Sequence, residues 1–217
     1  MLTALAGILA LGFLLGMRHA TDPDHVVAVT TIVTQQRSLW RAARTGMLWG
    51  LGHTVTILLA GTAIIMLKLQ VGAIPPRLGL SLEFLVALML IALGIATLAG
   101  GERRVADSTA RPLTVGFLHG LAGSAAVATL PQVALIPDPR WAVGHLTVFG
   151  IGTIAGMMLV TLSIAAPALH AGRRFAGLNQ RLRVASGIAS VLFGLVLAHR
   201  IGFVDGLVTA APSWTPG

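Results

Sequence analysis

Long apolar runs separated by short polar stretches account for most of this chain. Several of these runs reach or approach the ~20 residues that a helical membrane span needs. They are Leu2 to Thr34, Gly46 to Leu67, Leu78 to Leu98, Leu113 to Ile136, Trp141 to Leu169 and Val184 to Val204. The pattern therefore predicts an all-α polytopic membrane protein with about six transmembrane helices.

The first apolar run is too long for one simple span. A straight helix from Leu2 to Thr34 would be ~50 Å long, whereas the hydrocarbon core is ~30 Å thick. Pro23 lacks a backbone N–H and disfavours a helical conformation at Asp22. We therefore predict that the first helix is broken within Arg18-His19-Ala20-Thr21-Asp22-Pro23-Asp24-His25.

This polar motif has the side chains of a transition-metal site. Ionisable groups at membrane depth are costly and usually functional, and imidazole with carboxylate suits Ni(II), Co(II) or Zn(II). On a continuous helix His19 and Asp22 would share a face that excludes Asp24 and His25. A break would let His19, Asp24 and His25 converge, so we predict these three as the primary metal ligands. The alternative is a polar loop at the membrane surface.

There are two further candidate ligands, one in the next span and one within the motif itself. His53 follows Gly50-Leu51-Gly52, where small residues permit close approach of helices. It is expected to bind the metal or to support a ligand, and the alternative is a hydrogen bond that ties the second span to the first. Asp22 is either a ligand, a partner of Arg18, or a cap on the broken helix.

The two halves of the sequence match at an offset of one hundred residues. Gly16-Met17-Arg18-His19 aligns with Gly116-Phe117-Leu118-His119, and Trp49-Gly50-Leu51-Gly52 aligns with Phe149-Gly150-Ile151-Gly152. An odd number of spans in each half would give the halves opposite topology, an arrangement in which transporters place a site at the repeat interface. We predict two inverted three-helix repeats, with the main metal motif in residues 1–100 and the second repeat in residues 101–217.

The repeat also predicts how the second half contributes to the site. His119 occupies the position of His19 and is therefore a further candidate ligand. Ser124 stands where Asp24 does, and Thr153 stands where His53 does. The predicted site is therefore asymmetric, with most ligands from the first half.

Composition supports a membrane protein and excludes several other classes. The 217 residues are 55% hydrophobic and 10% charged, with a mean hydropathy of +0.87. The net charge of +8 comes from arginines in short loops, which is the positive-inside pattern and not a nucleic-acid surface. The loops after the first, third and fifth spans are the most basic, so we predict that both termini lie outside. The chain has no cysteine, which excludes disulfides and thiolate metal sites.

The motifs of residues 12 to 60 resemble those of the nickel/cobalt permease family. The resemblance rests on His19-x4-Asp24-His25 and on Leu51-Gly52-His53-Thr54-Val55. The segment beginning His119-Gly120-Leu121 is more similar to the short urease-accessory nickel permeases related to that family. The resemblance implies high-affinity uptake of Ni(II) or Co(II) across a bacterial inner membrane.

The expected function is therefore that of a secondary transporter for divalent transition metals, with the metal as substrate and no cofactor. Its expected partners are the metal ion and the lipid bilayer. The alternatives are a metal exporter on the same scaffold and an intramembrane metal-dependent hydrolase. Glu83, near the start of the third span, could line an outer vestibule or extend towards water, and we expect the second. The tail from Ala211 is expected to fray.

Overall fold

The computed structural model describes residues 2–33, 36, 38–66, 75–100, 110–121, 136, 138–174, 177–209 and 212–214. Seven α-helices form these parts of the chain, and a π-helical segment, Arg200–Val204, follows the last of them. The helices are α1 Leu2–His19, α2 Pro23–Val33, α3 Leu39–Met66, α4 Pro76–Leu98, α5 Ala110–Gly120, α6 Pro139–Arg174 and α7 Leu178–His199. The predicted all-α class is confirmed.

The first helix is broken at the polar motif, as predicted. The amide of Asp22 donates to the carbonyl oxygen of His19 at 3.1 Å, and the amide of Val26 donates to that of Asp22 at 3.0 Å. Pro23 begins α2, where its missing N–H leaves no intrahelical hydrogen bond unmade. The break therefore places His19 at the end of one helix and Asp24 with His25 in the first turn of the next.

Four helices of the described chain are long and apolar enough to cross a membrane: Leu39–Met66, Pro76–Leu98, Pro139–Gly172 and Leu178–Val204. Ala6–His19 and Pro23–Val33 are shorter apolar helices. Of the predicted fourth span, only residues 113–121 and 136 are described, and Ser124 lies outside the described residues. Helix α3 begins before the predicted Gly46, because the helix continues beyond the apolar run into the basic segment.

Close helix packing surrounds the break. Helix α3 packs against α5 and α6, α1 packs against α6, and α4 packs against α7. Helix α2 contacts α3, α4, α6 and α7. Glycine permits these approaches: a Cβ atom on Gly16 would collide with the carbonyl oxygen of Phe149, and one on Gly116 with that of Trp49. The short helix α2 is therefore held inside the bundle.

Candidate metal site

Four imidazoles from four helices meet at the break, and we refer to them as the histidine cluster. His19 ends α1, His25 lies in the first turn of α2, His53 lies within α3, and His119 lies in the last turn of α5. Their exposed fractions are only 8%, 1%, 1% and 2%. The cluster is therefore a polar centre enclosed by apolar helices.

His25 is at the middle of the cluster. Its ring centroid lies 4.1 Å from that of His119, 4.6 Å from that of His19 and 5.0 Å from that of His53. One nitrogen from each of His19, His25 and His53 can be chosen so that all three atoms lie within 4.8 Å of one another. The same holds for the ligand atoms of Asp24, His25 and His119. His25 thus belongs to two adjoining groups, each of which could hold a metal ion.

The closest nitrogens in the cluster are those of His19 and His53. Their Nε2 atoms are 3.0 Å apart. Two ligands of one ion at bond lengths of ~2.1 Å and a right angle would be ~3.0 Å apart. Two lone pairs facing each other at this distance need a proton or a metal ion between them. The separation is therefore compatible with a hydrogen bond and with joint coordination.

Asp24 connects the two halves of the chain. Its Oδ1 atom accepts a hydrogen bond from His25 Nδ1 at 3.1 Å, and its Oδ2 atom accepts one from His119 Nε2 at 2.9 Å. A carboxylate that accepts from one ring nitrogen fixes the tautomer and leaves the other nitrogen with its lone pair. His25 Nε2 and His119 Nδ1 are then the nitrogens available to a metal.

Asp22 has the same role for His19. Its Oδ2 atom accepts from His19 Nδ1 at 2.8 Å, and its side chain is 47% exposed. This bond leaves the lone pair on Nε2 of His19, the atom nearest His53. The structure thus gives Asp22 a carboxylate–histidine contact.

Three ring nitrogens in the cluster are buried without a hydrogen-bond partner among the described residues. They are His25 Nε2, His53 Nδ1 and His119 Nδ1. A buried polar atom without a partner costs ~1–3 kcal/mol, so such atoms usually have a ligand, water or ion to satisfy them. Their concentration in one cluster indicates that it is built to receive a ligand.

The structure brings together all six residues proposed from the sequence: His19, Asp22, Asp24, His25, His53 and His119. Sequence reasoning missed the aromatic walls. Trp49 is fully buried, and its ring is nearly parallel to that of His25, with 6.2 Å between the ring centroids. The ring centroid of Phe149 lies 5.7 Å from that of His19. These two residues occupy matching positions of the sequence repeat, which was the available signal.

The C-terminal segment does not fray as expected over residues 212–214. The amide of Ser213 donates to the carbonyl oxygen of Asp205 at 2.9 Å. Trp214 covers Gly79, and its Nε1 atom donates to Glu83 Oε1 at 2.8 Å. Glu83 is therefore half-buried and bonded within the protein.

Comparison with known proteins identifies the family to which the chain is similar. Residues 5–191 match the family model NicO, described as high-affinity nickel-transport protein. The chain is also 34% identical over 223 aligned residues to the urease accessory protein UreH of Bacillus sp. (strain TB-90). That alignment covers 94% of this chain and 95% of the relative. No solved structure matches the chain.

Proposed function

Because this chain belongs to the NicO family of high-affinity nickel-transport proteins, we propose that its histidine cluster carries Ni(II) or Co(II) across the bacterial inner membrane. The protein is a multi-pass membrane transporter and not an enzyme. The observation that carries the assignment of the site is the convergence of four buried imidazoles, three of which have an unpartnered nitrogen. The metal is the substrate of the protein.

The proposed ion lies against His25 and binds ring nitrogens of His19 and His53. This group supports the proposal because its three side chains are all buried and come from three helices. The ring centroid of His119 lies 4.1 Å from that of His25. His119 would bind the ion during its passage or complete its coordination.

The donor set favours a borderline transition metal. Imidazole nitrogens suit Ni(II), Co(II) and Zn(II), whereas Mg(II) and Ca(II) prefer carboxylate, carbonyl and water oxygens. The absence of cysteine from the sequence removes the thiolates that suit soft ions. We therefore propose that the site binds these transition-metal ions in preference to Mg(II) and Ca(II).

Asp22 and Asp24 would offset the charge of the ion. Burying a divalent cation in an apolar bundle is expensive unless opposite charges lie nearby. Both carboxylates accept hydrogen bonds from ring nitrogens of the cluster. In the proposed complex they would fix the imidazoles and bring the formal charge of the site close to neutral.

We further propose that about six spans form two inverted repeats, residues 1–100 and 101–217. The support is a set of close contacts that recur with the halves exchanged. Gly16 faces Phe149, and Gly116 faces Trp49. Gly152 likewise faces Phe13, and Gly52 faces Leu113. The histidine cluster would then lie at the interface of the repeats, as in other transporters with broken helices.

The proposed orientation places both termini outside the cytoplasm. It rests on the concentration of arginine in the loops after the first, third and fifth predicted spans.

Nickel binding and nickel uptake test this proposal together. Purified protein should bind Ni(II), and proteoliposomes containing it should accumulate the ion. His25→Ala should abolish both, whereas His170→Ala, an exposed histidine of α6, should leave both unchanged. Normal binding and uptake by His25→Ala would refute the proposed site.

A further inference from the structure

A cavity of about 370 Å³ lies beside the histidine cluster, between α2, α4 and the end of α7. Its wall includes Asp22 and Asp24, together with residues from the C-terminal segment. We propose that this cavity is the path by which the metal ion reaches the cluster from outside, and that Glu83 is its cation-collecting residue. This inference rests on the proposed function.

The charge of the cavity supports a cation path. Four carboxylates line it, those of Asp22, Asp24, Glu83 and Asp205. Arg200 is the one basic residue among the described lining residues, and it lies 3.8 Å from Asp205. The whole chain has only seven Asp and Glu residues against fifteen Lys and Arg. Although the net charge of the protein is positive, more than half of its carboxylates therefore lie around one cavity. A cleft lined by one sign of charge raises the local concentration of counter-ions and their rate of association.

The cavity ends at groups that already contact the cluster. Asp24 is 25% exposed and accepts hydrogen bonds from His25 and His119, which are almost fully buried. Asp22 likewise lines the cavity and accepts from His19. Next to these carboxylates lie the unpartnered nitrogens of the cluster, including His25 Nε2. An ion bound by the two carboxylates would therefore lie beside the imidazoles of the cluster.

The C-terminal segment holds Glu83 in the cavity wall. Trp214 packs over Gly79, one turn before Glu83 on α4, and donates its Nε1 hydrogen to Glu83 Oε1 at 2.8 Å. A single donor leaves Oε2 of the carboxylate available to a cation. On the facing wall, α7 widens into the π-helical segment Arg200–Val204, a feature frequent at functional sites.

Thiol labelling tests whether the cavity is open to outside water. The natural chain has no cysteine, so Leu197→Cys introduces a single thiol in the cavity wall. Leu195→Cys is the matched control, because Leu195 lies on the same helix, outside the cavity lining, with 51% of its surface exposed. A membrane-impermeant thiosulfonate added to intact cells should label Leu197→Cys and not Leu195→Cys. Ni(II) should slow the labelling several-fold.

Transport measurements test the role of Glu83. Glu83→Gln removes the charge but keeps Oε1 as an acceptor for Trp214. Uptake from sub-saturating Ni(II) at low salt should fall about tenfold, the lower range of electrostatic steering. The deficit should shrink at high ionic strength, and Glu83→Asp should recover part of the rate. Asp138→Asn, which removes an exposed carboxylate at the start of α6, should transport normally.

The two proposals fail in different ways. If wild-type protein neither binds nor transports Ni(II), the proposed function is wrong. If wild-type protein does both, but Glu83→Gln matches Asp138→Asn or Leu197→Cys resists labelling, the access path alone is wrong. Equilibrium binding of Ni(II) to purified Glu83→Gln should equal that of wild type, because Glu83 has no contact with the cluster histidines in the described chain. A large loss of equilibrium binding would also contradict the assignment of Glu83 to the path.

Discussion

The Oδ2 atom of Asp24 lies 2.9 Å from Nε2 of His119, a residue 95 positions later in the chain. The first half of the sequence thus supplies a carboxylate that orients an imidazole of the second half. The same carboxylate orients His25 through its other oxygen. Asp24 therefore couples the two sides of the histidine cluster, and loss of its charge should affect both.

Replacing Asp24 with Asn tests this coupling. The amide has the shape of the carboxylate but no charge, and one of its two terminal atoms can no longer accept a hydrogen bond. We expect Ni(II) affinity to fall about 10–100-fold, as is common when a residue that orients a metal ligand is lost. Isothermal titration of purified protein measures this change. Asp138→Asn is the control for the loss of one carboxylate, and equal affinities in the two variants would contradict the role of Asp24.

Alanine substitutions within the cluster should differ in severity. His25 is adjacent to all three other imidazoles, so His25→Ala should abolish transport, as should His19→Ala. We expect His53→Ala and His119→Ala to have effects equal to or milder than these. Initial rates of Ni(II) uptake in proteoliposomes, normalised to folded protein, give the order. A normal rate in both His19→Ala and His25→Ala would exclude the cluster as the transport site.

Metal binding should weaken in acid. Imidazole binds a metal only when it is neutral, and its unperturbed pKa is ~6.5. Protons therefore compete with the ion, and the apparent affinity for Ni(II) should fall as pH decreases from about 7.5 to about 5.5. Titrations in buffers of different ionisation enthalpy would measure the protons released on binding. An affinity that does not change over this range would contradict competition between protons and the ion at the cluster histidines.

The close helix contacts around the cluster should not tolerate a methyl group. In Gly16→Ala the new Cβ atom would collide with the backbone of Phe149, and overpacking costs about 1–3 kcal/mol or more where backbone cannot move. Gly144→Ala adds the same methyl where no atom lies within 4 Å, and helix propensity favours alanine there. Thermal unfolding in detergent should therefore show a lower melting temperature for Gly16→Ala only. Equal melting temperatures would show that α1 and α6 approach less closely than described.

The predicted orientation can be checked with the same cysteine-free background. Ser38→Cys, before α3, should react with an impermeant reagent only from the cytoplasmic side, because the neighbouring segment is basic. Ser213→Cys, in the C-terminal segment, should react from outside. If Ser213→Cys were labelled from the cytoplasm and Ser38→Cys from outside, the orientation would be reversed. If both were labelled from the cytoplasm, the proposed count of six spans would be wrong.

The local sequence was sufficient to predict the break and the convergence of His19, Asp24 and His25 there. The first apolar run would be longer, as a straight helix, than the membrane is thick, and Pro23 lies within it. Both features favour a break at Pro23. His19 and His25 can meet only if the helix bends there. His119 was found through its repeat position. The break could be predicted because it depends on backbone chemistry and spacing within one short segment, whereas His119 was found by comparing the two halves of the sequence.

Contacts between distant segments could not be predicted in this way. Trp214 belongs to a Pro-containing tail whose composition is typical of a frayed end, yet it bonds to Glu83, 131 positions earlier. Trp49 was noted only as part of the sequence repeat, although it forms a wall of the cluster. In both cases the decisive partner lies far along the chain, and hydrophobic periodicity carries no information about it.

X-ray absorption at the nickel edge of the purified protein tests the central claim most directly. If the cluster holds the ion, one Ni(II) per chain should show nitrogen and oxygen ligands with the multiple-scattering pattern of at least three imidazoles. His25→Ala should lose that pattern, whereas His170→Ala should keep it. A bound ion with one imidazole or none, or a spectrum that is unchanged in His25→Ala, would contradict the account.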